Sequence, residues 1–375
     1  MTIAPDSSGV RVFFAGGGTG GHLYPGLAIA RALVRLAPHV EPFFIGAARG
    51  IERDVLPSTG FPHALLDLHP LYRRAPWRNV LTIRGMVSAW RHIGKIAREK
   101  MPALVVGTGG YAAGAALAWG RAHGIPLAVH EPDSHPGVTT RAFARVARGV
   151  FLGFPEASQL LRTHRDAQVL VLGAPIEPPP AFEARRTRAV LRQKWELPQD
   201  AFVVLVTGGS QGAKALNDAV ATWCERGLPD GVALIWATGQ AQAAAYLSWE
   251  SGMVRVRPYL SPIADAYAAA DLAVTRAGAM TIAELWAWGI AAILVPLPTS
   301  AQDHQVHNAR AVAHAGAAIH LPQSGLSADA IEAQVRELRN RPDVLHSMRE
   351  AALRHARPNA AEDIARALLQ MISPS

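Results

Sequence analysis

The sequence predicts an α/β protein of two Rossmann-like domains, each a doubly wound parallel sheet, and three observations lead there. Two glycine-rich loops each follow a short apolar run and open a helical pattern. One reads Phe13-Phe14-Ala15-Gly16-Gly17-Gly18-Thr19-Gly20-Gly21-His22, the other Val204-Leu205-Val206-Thr207-Gly208-Gly209-Ser210-Gln211-Gly212-Ala213. Apolar runs alternate with helical patterns almost throughout. Between the two alternations lies 173–181, which holds Pro175, Pro178, Pro179 and Pro180 and has no helical pattern, as a linker should. The expected domains are 8–177 and 178–358, with a terminal helix in 359–375 expected to return to the first domain.

The elements follow in order. Strands are expected at 10–15, 42–45, 104–106, 127–130, 149–152 and 169–172, with helices at 25–36, 80–98, 114–123 and 138–147. The second half repeats the pattern with strands at 202–207, 233–237, 254–256, 272–275 and 292–295, and a helix at 359–372 ends it. Two similar domains would face one another across a cleft, an architecture for joining two substrates.

Composition narrows the class. A chain of 375 residues, half of them apolar and 18% charged, can bury two cores and is far from a disordered composition. The single cysteine, Cys224, excludes an internal disulfide framework, points to a reducing cytosol, and reads as core filler rather than a nucleophile. Residues 1–9 lack the pattern of a signal peptide. No apolar run reaches the ~20 residues of a membrane span, so a soluble or peripheral protein is expected. The net charge of +8 is carried by arginine, with lysine only at Lys95, Lys100, Lys194 and Lys214. Such a balance suits nucleic acid, anionic lipid or phosphorylated substrates alike.

The motifs divide these possibilities. Gly16, Gly18 and Gly21 fit the dinucleotide fingerprint, but that site needs an acid at the end of the next strand, and Phe43-Phe44-Ile45-Gly46-Ala47-Ala48-Arg49 has none there. Arg49 leaves room for an NADP reading. The second loop is not a Walker motif, because Lys214 stands two places after Gly212 with no Ser or Thr behind it. His22 falls at the first turn of a helix, where the dipole favours the neutral imidazole that a general base needs; alternatively it caps or packs.

Arg276, the amides of Ala279 and Met280, and the Thr281 hydroxyl converge on a strand-to-helix turn suited to a diphosphate. Glu284, one helical turn on, either accepts hydrogen bonds from a ribose diol or is a solvated charge or a partner for Arg276. Asp303, His304, Gln305 and Asn308 offer acid and amide groups to sugar hydroxyls, with helix capping by Asp303 as the plainer reading. No metal is expected, since Asp303 and His304 lack companions.

In 71–100, eight basic residues face one acid, Glu99, among apolar and aromatic side chains. Leu71, Tyr72, Arg73, Arg74, Trp77 and Arg78 would meet an anionic membrane; the alternative is a core helix with a solvated basic face. Nucleic acid is disfavoured because no binding module accompanies the charge.

These motifs, with Gly107-Thr108-Gly109-Gly110-Tyr111 and His130-Glu131, occur in the order and approximate spacing of the MurG family, which the chain resembles from about Val10 to Asn359. The resemblance implies a GT-B glycosyltransferase fold and an inverting transfer of GlcNAc from UDP-GlcNAc to an undecaprenyl-pyrophosphate-linked muramoyl-pentapeptide. That reaction belongs to peptidoglycan synthesis at the cytoplasmic face of the bacterial membrane, and it needs no cofactor.

The resemblance further implies that Ser210, Gln211, Gly212, Arg276, Ala279, Met280, Thr281 and Glu284 hold the nucleotide. Leu260 would contact uracil, and His304, Gln305 and Asn308 the sugar. Thr19, Gly20 and Gly21 also stand among the implied donor contacts. Gly18, Thr19, Tyr111 and Glu131 would lie on the acceptor side with His22, the implied base, and Glu131 counts with His22 among the implied catalytic residues. Two departures stand out. The family's His-Glu-Gln-Asn is here His130-Glu131-Pro132-Asp133, and its Gly-Asn-Pro-Val-Arg is Gly173-Ala174-Pro175-Ile176-Glu177. Asp133 then competes with His22 as base, and Glu177 replaces an arginine with a carboxylate. A different acceptor, or binding without turnover, is the alternative these departures raise.

Overall fold

The computed structural model describes residues 9–69, 77, 79–179, 188–209 and 211–372. It divides into two compact units, residues 1–177 with 359–375, and 178–358. In the first unit the strands are β1 (Val10–Ala15), β2 (Val40–Ala47), β3 (His63–Leu66), β4 (Leu104–Gly107), β5 (Leu127–Glu131), β6 (Gly149–Leu152) and β7 (Gln168–Val171). Its helices are α1 (Gly20–Leu36), α2 (Glu52–Val55), α3 (Asn79–Glu99), α4 (Gly110–Ala122), α5 (Val138–Phe143) and α6 (Glu156–Gln159), with the chain's last helix joining them. In the second unit lie α7 (Arg188–Lys194), β8 (Phe202–Thr207), α8 (Lys214–Arg226), β9 (Val232–Ala237), β10 (Val254–Arg257), α9 (Ala264–Ala269) and β11 (Leu272–Thr275). They are followed by α10 (Ala279–Trp288), β12 (Ala291–Leu294), α11 (His304–His314), β13 (Ala318–His320), α12 (Ala328–Asn340) and α13 (Pro342–His355); α14 (Ala360–Ile372) belongs to the first unit.

Both sheets are parallel, in the orders β3-β2-β1-β4-β5-β6-β7 and β10-β9-β8-β11-β12-β13. The continuous apolar strands follow from burial on both faces. In β1, Phe13 and Ala15 pack with Ile93, Ala113 and Trp119 on one side, while Val12 and Phe14 pack with Leu27, Leu33, Ile364 and Leu368 on the other. The second sheet does the same, with Val204, Val206 and Trp236 meeting Trp223 of α8 and Ile331 and Val335 of α12.

Among the strands the sequence reading misses β3 and β13, which are short edge strands carrying His63 and His320, and it gives no helix at α2, α6, α7, α9, α12 or α13. Edge strands have one open side and tolerate polar residues, so their apolar signal is weak.

Each sheet reverses its order at one place, between β1 and β4 and between β8 and β11. At such a switch point the loops beyond the strand carboxyl ends diverge and leave room for a ligand.

Candidate active site

In the first unit, Ala15 stands opposite Gly107, Gly107 opposite Val129, and Glu131 opposite Leu152. The loops after β1, β4 and β5 therefore lie side by side, within about 10 Å across two strand spacings. His22 lies in the first turn of α1, whose N-cap, Thr19, makes no side-chain cap bond. The imidazole Nδ1 is 3.3 Å from the Gly17 carbonyl oxygen and 3.2 Å from Thr19 Oγ1. A carbonyl can only accept, so the Gly17 contact suits the tautomer with hydrogen on Nδ1, which leaves the lone pair on Nε2.

The ring is held by what the next loop lacks. A Cβ on Gly109 would stand 2.5 Å from His22 Cδ2, and one on Gly110 would be 2.1 Å from the Gly17 carbonyl oxygen; both glycines have positive φ. Buried Thr108 donates its hydroxyl to the His22 carbonyl at 2.7 Å, tying α1 to the β4 loop. Tyr111 lies over Gly18, where a Cβ would meet its ring at 2.8 Å.

Glu131 is buried and organises the β5 loop. Its Oε1 accepts from the Asp133 amide at 3.2 Å and its Oε2 from the Gly137 amide at 2.9 Å. Burial, then the charge of Asp133, pushes its carboxyl up to about 7 against the hydrogen bonds that favour ionisation. Neighbouring His130 is fully buried, with Nε2 3.4 Å from the Gly173 carbonyl oxygen, and burial pushes it down to about 4. The Pro132 backbone packs on Gly153, where a Cβ would meet its carbonyl oxygen at 2.3 Å. Asp133 is half-buried, and Glu177 is exposed at the last position of the first unit.

In the second unit, Thr207 stands opposite Thr275, which stands opposite Leu294, so the loops after β8, β11 and β12 are neighbours. Helices α8 and α10 have Ala213 and Gly278 as N-caps, with no side-chain cap bond and no acid in the first turn. Two helix starts with uncapped amides at one switch point suit a diphosphate. Gly212, with a φ of +76, lets the loop approach the Thr238 carbonyl oxygen, which a Cβ would meet at 2.1 Å.

Arg276 is buried, and its Nη1 donates to the carbonyls of Val295 and Pro296 at 3.1 and 3.2 Å. Burial lowers its pKa from the ordinary value. The guanidinium thus pins the β12 loop as well as bringing charge to the switch point. Gln305 and Asn308 also bind backbone, Gln305 Oε1 accepting from the Leu297 amide at 3.0 Å and Asn308 Nδ2 donating to the Ala277 carbonyl at 3.2 Å. Asp303 occupies the N-cap of α11 in a left-handed conformation, without a side-chain cap bond. Among the described residues Glu284 forms no ion pair with Arg276; instead Tyr267 donates its hydroxyl to Glu284 Oε2 at 2.7 Å. Burial raises the Glu284 carboxyl above its ordinary range. Leu260 is buried, Gln211 is exposed, and Ala279, Met280, Thr281 and His304 line the starts of α10 and α11. Ser210 lies outside the described residues.

Residues 12–152 match the glycosyltransferase family 28 N-terminal domain and residues 203–364 its C-terminal domain. The chain is 38% identical to the UDP-N-acetylglucosamine–N-acetylmuramyl-(pentapeptide) pyrophosphoryl-undecaprenol N-acetylglucosamine transferase of Moorella thermoacetica, over 97% of this chain and 99% of that protein. The transferase of the same name from Chlorobaculum parvum is 37% identical, over 95% and 98%. Among solved structures, Acinetobacter baumannii MurG matches with a TM-score of 0.76 at 27% identity, covering 96% of this chain and 99% of that one. The chain belongs to the MurG family. Its fold is accordingly that of the GT-B glycosyltransferases.

Within this MurG-family framework, two residues escape the sequence reading. Glu52 is fully buried, three places beyond the stretch searched for an acid, and its Oε1 accepts from the Gly18 and Ala47 amides at 2.9 and 3.1 Å. A search for acids opposite glycines would have found it, because Gly46 and Gly50 flank it. Tyr267 carries no local signal at all.

Helix α3 has two apolar faces. Ala89, Ile93 and Ala97 are buried on the core, whereas Val80, Ile83, Val87 and Trp90 are exposed beside Arg84, Arg91 and Lys95, with Trp77 73% exposed just before the helix. The segment is therefore both a core helix and an exposed amphipathic surface. Leu71, Tyr72, Arg73, Arg74 and Arg78 lie outside the described residues. Among the described residues no helix is long and apolar enough to cross a membrane.

Proposed function

We infer that this chain transfers N-acetylglucosamine from UDP-GlcNAc to N-acetylmuramyl-(pentapeptide) pyrophosphoryl-undecaprenol, forming the disaccharide lipid used in peptidoglycan synthesis. Membership of the MurG family across both units carries the reading. His22 Nε2 takes the proton of the muramoyl 4-hydroxyl as that oxygen attacks the anomeric carbon. The bond to UDP breaks, its electron pair stays on the β-phosphate oxygen, and attack opposite the leaving group inverts the centre. The amide-rich starts of α8 and α10 and the charge of Arg276 stabilise the departing diphosphate, so no metal is assigned a role. Glu284, oriented by Tyr267, accepts from the ribose. The exposed apolar and basic face of α3 supports docking on an anionic membrane surface at the cytoplasmic face.

The test mixes the protein, in EDTA, with UDP-GlcNAc and a lipid-linked muramoyl acceptor. UDP release with product formation is expected, and His22→Ala should lower kcat by about 10²–10⁴ with donor affinity unchanged. Donor binding without UDP release would sink the transferase reading. Undiminished turnover in His22→Ala would hand the base role to Asp133, and dependence on added divalent cation would remove the metal-free assignment.

A further inference from the structure

We propose that Glu52 is a positioning residue for His22 and acts on it through the peptide bond between Gly17 and Gly18. The imidazole Nδ1 faces the Gly17 carbonyl oxygen at 3.3 Å, and the Gly18 amide donates to Glu52 Oε1 at 2.9 Å. That carbonyl and that amide belong to one planar peptide group, whose C=O and N–H point in opposite directions. The imidazole therefore sits on one side of the peptide and the carboxylate on the other.

A negative charge on the N–H side polarises the group and makes the Gly17 oxygen a stronger acceptor. The Nδ1–H tautomer is then favoured, Nε2 is kept as the proton acceptor, and the imidazolium formed when the acceptor proton arrives is stabilised. A carboxylate bonded directly to a catalytic histidine has the same effects; here one peptide intervenes. The effect is one of polarisation alone, and no proton passes along the chain of bonds.

The surroundings of Glu52 favour a charge role over a simple loop tie. Its side chain is fully buried, Oε2 has no hydrogen-bond partner among the described residues, and the adjacent Arg49 and Arg53 are paired with Asp67 and Asp54. Burying a carboxylate without a cation is costly. The fold nevertheless makes room for it with glycine. A Cβ on Gly17 would stand 1.7 Å from Oε1, one on Gly50 2.0 Å from Oε2, and one on Gly46 2.9 Å from Glu52 Cβ. Polar and titratable groups near His22 include Thr19 at the N-cap of its helix, Thr108 in the β4 loop, Tyr111 over Gly18, and His130 in β5, which is electrostatically coupled to it.

This proposal rests on His22 being the base, and a double-mutant cycle in the full-length protein separates the two ideas. Glu52→Gln keeps a carbonyl for the Gly18 and Ala47 amides and removes only the charge. It should lower kcat about tenfold with little change in acceptor KM. It should also move the acid limb of the pH–rate profile to lower pH, because the anion favouring imidazolium is gone. In a His22→Ala background it should cost nothing further. Equal losses in both backgrounds, or an unmoved acid limb, would overturn the relay while leaving His22 as base. Full turnover in His22→Ala alone would remove both. Should Glu52→Gln unfold, ¹⁵N NMR of the wild-type imidazoles decides: His22 protonated on Nδ1 is expected, and the Nε2–H tautomer would refute the proposal.

Discussion

His130 and Glu131 are neighbours in sequence, both buried, and burial moves their pKa values in opposite directions. Glu131 has a folded pKa raised to about 7, so it favours the folded state most at pH below the ordinary carboxyl range, and that contribution is lost as pH rises toward 7. His130 has a folded pKa lowered to about 4, so its contribution is complete above the ordinary imidazole value and is lost as pH falls toward 4. Each effect is worth about 3 kcal/mol, and across the slightly acid range the two nearly cancel. Replacing Glu131 with Gln should unmask the histidine. The melting temperature of Glu131→Gln should rise between pH 4.5 and 6.5, while the wild-type curve stays flatter; parallel curves in a thermal-denaturation series would refute this. Such coupling escapes a sequence reading, which sees the His-Glu pair but not the burial that shifts it.

At the scale of the element, α3 shows why periodicity can leave two readings open. Its buried stripe of Ala89, Ile93 and Ala97 and its exposed stripe of Val80, Ile83, Val87 and Trp90 both have helical spacing, so the sequence could not assign apolar residues to core or surface. Only packing against Trp119 and its neighbours assigns them. Replacing Ile83 and Val87 together with Glu should abolish binding to anionic phospholipid vesicles in a flotation assay without lowering the melting temperature. Neutralising Arg84, Arg91 and Lys95 should cost about 1 kcal/mol of binding per charge, and less as salt is raised. Retained vesicle binding in the Glu variant would place the membrane contact elsewhere.

For the whole molecule, the return of α14 to the first unit matters most. Ile364 and Leu368 are fully buried with Leu27 and Leu33 of α1, although more than 300 positions separate them in the chain. Removing 359–375 would uncover that face at about 1.5–3 kcal/mol for each large side chain lost. Limited proteolysis should then cut the first unit readily, while UDP-GlcNAc affinity, which the proposed function assigns to the second unit, should fall little. Equal protease resistance with and without the helix would show that the first unit does not depend on it.

Much of this protein was legible from sequence alone because the relevant physics is local. Apolar strands, glycine loops and helix starts appear within short windows, and they established two parallel-sheet units, the place of His22 and the uncapped turns before α8 and α10. The tertiary structure decided what depends on distant partners. It brought Glu52 beneath the Gly17–Gly18 peptide, set Tyr267 against Glu284, turned Arg276 toward the β12 loop, and divided α3 between core and solvent. A carboxylate acquires its role from the amides and glycines that the folded chain gathers around it, and no short window of sequence contains them.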